Sequence, residues 1–139
     1  MSRRLAREAA FKALFQVDVG GAQPGPAMQY ALDGLILTPE EIEFAGDLFR
    51  GTMKNKDEID GFITPWLVNW TLERIASVDR NLLRMAVYEI MYRPDIPPSV
   101  SIDEALELTH KYSELASVAF VNGVLDKIAS KIKSSSEKP

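Results

Sequence analysis

Two stretches of the chain could bring positive charge and flat rings together on one flank of a helix. At 100° per residue, Arg4, Arg7, Phe11 and Phe15 follow one another along a single stripe near the amino terminus. Phe120, Lys127 and Lys131 do the same near the carboxyl terminus. Arginine fits phosphate oxygens bidentately, and an exposed aromatic stacks on an unpaired base. Arginines at a helix amino terminus also oppose the macrodipole, each at a cost of roughly 0.3–1 kcal/mol, which a phosphate backbone would offset. The chemistry open to these residues is recognition of single-stranded nucleic acid. The plainer alternative makes the phenylalanines core and leaves the arginines solvated.

Catalysis has much less to work with. The chain has no cysteine and one histidine, His110, which excludes a thiolate site or a histidine cluster. No P-loop, dinucleotide-binding glycine pattern, H-E-x-x-H or nucleophile elbow is present. The acidic run Lys56-Asp57-Glu58-Ile59-Asp60 lacks the glycine and spacing of a calcium loop. Glu89 lies within an apolar helical arc, where a carboxylate needs a hydrogen-bonding or basic partner; it reads as a structural pair. The expectation is a protein with no catalytic residues, no metal and no cofactor.

The totals narrow the partner. Net charge is −4, which argues against a general polyanion binder. Residues 1–16 nevertheless carry +3 and residues 126–139 carry +2, leaving −9 on the 109 residues between. Basic ends on an acidic body point to a local anionic partner. No apolar run reaches the ~20 residues that span a bilayer, and the amino terminus lacks a signal-peptide core. A soluble, cytoplasmic protein without membrane contacts is expected. At 139 residues, 1–139 reads as a single domain or as two small lobes sharing a core, with enough length to bury roughly two-thirds of its unfolded surface.

The elements that must position these residues are helices; no stretch alternates convincingly with period two, so the class is all-α. The first helix spans about Arg3 to Val19, with an alanine-rich inward face, and stops at Gly20-Gly21. After G-G-A-Q-P-G-P, a weaker helix covers about Ala27 to Leu35. Thr38-Pro39-Glu40-Glu41 opens the next with a capping box, and Ile42, Ala45, Leu48, Phe49 and Met53 face inward. Asn55 to Glu58 repeats the capping pattern before Ile59, Phe62, Ile63, Trp66 and Leu67. Ser77 to Tyr92 is the central helix: its wide apolar arc holds Leu82, Leu83, Ala86, Val87 and Ile90, and Arg80, Asn81, Arg84, Tyr88 and Tyr92 take the opposite side. Ser101-Ile102-Asp103-Glu104 is expected to cap another helix, and the last covers about Ala116 to Lys133 before a fraying Ser/Lys tail. Gly123, inside that helix, predicts close approach by another backbone.

Three of these stretches together resemble the NusB family of bacterial transcription antitermination factors. They are R-R-L-A-R-E-A-A-F-K-A-L-F-Q at Arg3–Gln16, S-V-D-R-N-L-L-R-M-A-V-Y-E at Ser77–Glu89, and F-V-N-G-V-L-D-K-I at Phe120–Ile128; the segment from Pro97 to Leu108 is also similar. The resemblance implies about seven helices in two three-helix sub-bundles sharing a central helix. It implies binding to the boxA segment of nascent RNA jointly with the ribosomal protein NusE, in a complex with RNA polymerase and other Nus factors acting chiefly on ribosomal RNA operons. Carried onto this chain, RNA contacts fall on Arg3, Arg4, Arg7, Phe120, Asn122 and Lys127, with Phe120 stacking on a base. Phe15 and Asp79 fall where family members meet NusE.

Two rivals remain. One is the RNA-binding domain attached to some ribosomal RNA cytosine methyltransferases, though the chain stops at Pro139 with no nucleotide-binding α/β domain, which favours a stand-alone factor. The other is a helical adaptor that binds only protein, its basic ends merely solubilising. The free state is open between a monomer and a homodimer.

Overall fold

The computed structural model describes residues 3–137, with side chains through residue 133. Seven α-helices and no strand occur among them. They fall into two compact units, Met1–Lys54 and Asn55–Pro139.

The first unit holds α1 (Arg3–Gly20), α2 (Pro24–Leu32) and α3 (Pro39–Lys54). Ala6, Ala9, Ala10, Ala13 and Leu14 of α1 are buried, and α1 packs on both α2 and α3. Small side chains on that face let neighbouring helix axes approach closely. α1 ends where Gly21 takes a left-handed φ of 66° and the Ala22 amide donates back to the Gln16 carbonyl at 3.1 Å. The α3 capping box closes in both directions: Thr38 N donates to Glu41 Oε1 at 2.9 Å, and Glu41 N to Thr38 Oγ1 at 3.1 Å. The inward arc of α3 is rotated from the expected one. Phe44, Ala45, Leu48, Phe49 and Thr52 are buried, whereas Ile42 is 45% exposed. α2 begins three residues before the expected start, because prolines suit the first helical turn, where no amide donor is needed.

The second unit holds α4 (Lys56–Ile63), a 3-10 turn at Thr64–Trp66, α5 (Ser77–Tyr92), α6 (Pro98–Tyr112) and α7 (Leu115–Glu137). α5 is its packing centre, touching α4, α6 and α7. Every residue from Asn81 to Ile90 is buried, so the side expected to be polar is enclosed as well. Each polar group there finds a partner. Asn81 Nδ2 donates to the Ser77 carbonyl at 2.9 Å. Arg84 forks onto Asp60, Nε to Oδ1 at 2.8 Å and Nη2 to Oδ2 at 3.0 Å. Tyr88 and Tyr92 stack at 5.2 Å. The Tyr92 hydroxyl donates to Glu58, a bond that pushes its pKa up to about 12.

Glu89 receives the partner its position demands: Ser101 Oγ donates to Oε1 at 3.0 Å, deep in the unit. The same bond corrects the reading of Ser101 as a helix cap. α6 starts earlier, at Pro98, which is pre-set for a first helical position, so Ser101 is already inside the helix and turned onto α5. α7 remains helical through Glu137, beyond the expected end near Lys133; Lys138 and Pro139 lie outside the described residues.

Candidate functional site

In the first unit, α1 carries Arg3, Arg4, Arg7 and Phe15. The structure corrects the picture of one exposed basic-aromatic flank. Arg7 is only 3% exposed, and its guanidinium lies 5.2 Å from the Phe44 ring centroid. Arg3 is half-buried over the same ring at 4.3 Å. Guanidinium faces are weakly hydrated, so two cations can pack against an aromatic where ammonium groups would lose more solvation. Arg4 is exposed. Phe11 is core, and Phe15 is half-buried with its ring 6.2 Å from that of Phe11. Of the α1 stripe, Arg4 stands at the surface and Arg3 at its edge.

In the second unit, a cavity of about 330 Å³ lies between the 67–76 connector, the start of α5 and the start of α7. Trp70, Arg74, Ile75, Asp79, Ser117 and Phe120 line it. The connector is held by Arg80, whose Nη1 donates to the Leu72 carbonyl at 3.0 Å, and by Leu72 and Ile75, which are buried. Asn69 takes a left-handed φ of 65°, turning the chain so that Trp70 follows at the cavity wall. Trp70 is 56% exposed. Phe120 is half-buried, so part of its ring remains open to a ligand.

Asp79 is the electrostatic centre of this cavity. Burial pushes its carboxyl pKa upward; hydrogen bonds from Ser117 and Ser113 pull it back in part, and the Glu114 charge adds to the rise. Its Oδ1 is buried and has no hydrogen-bond partner. A buried acceptor left open is costly, and a donor from another molecule would relieve it.

Thus Asp79 and Phe120 are brought together, as the spacing alone could not have shown. Lys127 is exposed two turns further along α7 and lines a separate groove. Asn122 is half-buried and sits about 200° round the helix from Phe120, off its stripe. Sequence reasoning missed Trp70 and Arg74, which lie between the last assigned apolar position, Leu67, and the central helix. The available signal was an aromatic between polar residues in a connector with no helical register. Gly123 is a second correction: beyond its own stretch of helix nothing lies within 4 Å of where its Cβ would be, so no neighbouring backbone requires it. Among the described residues no group of three or more acidic or histidine side chains could hold a metal, and no helix is long and apolar enough to cross a membrane.

The model of the NusB family matches residues 4–130. The transcription antitermination protein NusB of Bacillus licheniformis is 46% identical over 133 residues, covering 96% of this chain and 100% of the relative. Its counterpart in Pelotomaculum thermopropionicum is 48% identical over 128 residues, covering 92% and 89%. Among solved structures, NusB of T. maritima superposes with a TM-score of 0.87 at 40% identity, covering 94% of this chain and 92% of that one. A complex of the antitermination factors NusB and NusE with double-stranded RNA contains a chain matching at TM-score 0.86 and 29% identity, with coverage of 93% and 96%.

Proposed function

The chain belongs to the NusB family, and from that premise we propose that it binds the boxA segment of nascent RNA as a single-stranded ligand, together with the ribosomal protein NusE. It is a transcription antitermination factor and not an enzyme. In this reading it acts in the cytoplasm, on ribosomal RNA operons, within a complex of RNA polymerase and other Nus factors, and both units work as one domain across residues 1–139.

The observation that carries the reading is the cavity of the second unit. It joins a half-open Phe120 ring, suited to stacking on a base, to an Asp79 oxygen that lacks a donor. Arg3, Arg4 and Lys127 supply phosphate contacts, with Asn122 flanking, while Asp79 and Phe15 meet the protein partner. Arg7 belongs to the same basic segment but acts through Phe44, which it helps to hold in place.

Titration of labelled boxA RNA into the protein, with and without NusE and over a range of salt, tests this. Binding should tighten with the partner present, and log K should fall with log salt by roughly 0.7 per phosphate contact. A NusE interaction with no RNA binding and no salt slope would leave the protein-only adaptor as the function. Sedimentation of the free protein decides between monomer and homodimer.

A further inference from the structure

The groove beyond Phe120 contributes only Lys127 to the proposal above. It has a volume of about 400 Å³ and is lined by Trp66, Asp126, Lys127, Ser130 and Lys131, all in the second unit. Trp66 is half-buried at the end of the 3-10 turn that follows α4. Lys127 and Lys131 are exposed and one helical turn apart. Like charges at that spacing repel by a few tenths of a kcal/mol. The chain carries 20 acidic against 16 basic side chains, yet neither lysine has an ion pair among the described residues. Asp126 is the one carboxylate on the groove wall, which leaves the lining net positive.

A ring, two cations and a nucleotide-sized hollow together define a class of ligand. Phosphate oxygens satisfy the two ammonium groups, an aromatic base covers the indole, and Asp126 and Ser130 offer an acceptor and a hydroxyl to a base edge. The groove is also in line with the first cavity. Phe120, Lys127 and Lys131 lie within about 40° of one another on the α7 wheel. Lys127 is about 10 Å and Lys131 about 16 Å along the axis from Phe120.

We infer that the Trp66–Lys127–Lys131 groove is a second nucleotide subsite, which takes the single-stranded RNA flanking the segment seated at Phe120. The inference rests on the RNA reading and extends it: the footprint on the second unit is longer than one cavity, and α7 is the track.

The test compares a short boxA RNA with the same RNA extended by four nucleotides at one end or the other, using the full chain with NusE. One extended RNA should bind at least fivefold more tightly than the short one. Its salt slope should be steeper by roughly 0.7 for each added phosphate contact. In a Trp70→Phe protein, which keeps Trp66 as its one indole, that RNA should quench the fluorescence and the short RNA should not. Lys131→Gln should remove most of the gain while leaving affinity for the short RNA within twofold. Trp66→Leu should do the same, with a thermal melt to show that it is folded; should it unfold, Lys131→Gln carries the test. Extension that adds neither affinity nor quenching, or a Lys131→Gln loss equal for both lengths, overturns the subsite and leaves the boxA proposal standing. Failure of the short RNA to bind removes both.

Discussion

The two ends of the chain carry the same chemistry in sequence, yet the structure uses it in opposite ways. On α1 the stripe of arginines and phenylalanines turns toward α3: Phe11 is core and the Arg7 guanidinium packs on Phe44. On α7 the stripe stays at the surface, with Phe120 at a cavity mouth and both lysines exposed. The difference follows from what each helix buries on its other flank. The inward face of α1 is mostly alanine, which provides little apolar area, so its larger neighbours are drawn in to fill the unit. α7 has Val121, Val124, Leu125 and Ile128 for that purpose and can leave its stripe outside. A basic-aromatic stripe therefore stays at the surface only where the same helix has enough aliphatic side chains to bury separately.

Substitutions can break or sharpen this contrast. The largest effect should come from Arg7→Ala, which removes a buried guanidinium from the Phe44 ring and should cost about 2 kcal/mol in chemical denaturation. Any loss of RNA affinity should then track the loss of folded protein; a variant that melts like the parent would return Arg7 to the surface. Phe120→Ala should reverse the pattern. RNA affinity should drop about tenfold through lost stacking, while stability falls by no more than ~1 kcal/mol because the ring is only half-buried. A drop of 3–5 kcal/mol would make Phe120 core, like Phe11.

Asp79→Asn probes the same cavity through pH. Burial raises the folded-state pKa of Asp79, so the folded protein holds this proton more tightly than the unfolded chain does. Stability from this group is thus greatest at low pH and is lost as pH rises through the folded value. The asparagine variant should melt above the parent at pH 7, and the gap should close as pH falls below the ordinary carboxylate range. A gap that widens on acidification would mean that the carboxylate is stabilised in the fold rather than strained. The smallest effect is Gly123→Ala, which should add up to ~1 kcal/mol of stability because the added methyl meets open space. If RNA or NusE binding weakens at the same time, the close approach predicted at this glycine comes from a ligand and not from a helix of this chain.

Much of the fold was legible beforehand. Glycine and proline punctuation located the end of α1 and the start of α3, and the Thr38–Glu41 spacing specified a capping box that forms as written. Local rules failed where two elements compete for one side chain. Ser101 had the spacing of a cap, but a buried carboxylate on α5 claimed its hydroxyl. Ile42 lay on the apolar arc of α3, but the packing of Phe44 against α1 turned the helix and left it exposed. Arg84 lay on the side of α5 opposite the apolar arc, and Asp60 pairs with it where it is buried.

The sequence by itself determined the all-helical class, most helix boundaries, the need for a partner at Glu89 and the concentration of positive charge at the two ends. These follow from periodicity, backbone preference and composition, which act over a few residues at a time. Only the tertiary structure decided which rings are core, that Asp79 and Phe120 share a cavity with Trp70, and that Trp66 faces two lysines across a groove. Those outcomes depend on side chains far apart in the chain arriving at one place, and no pattern of neighbours along a single helix encodes how deeply its flank will be buried.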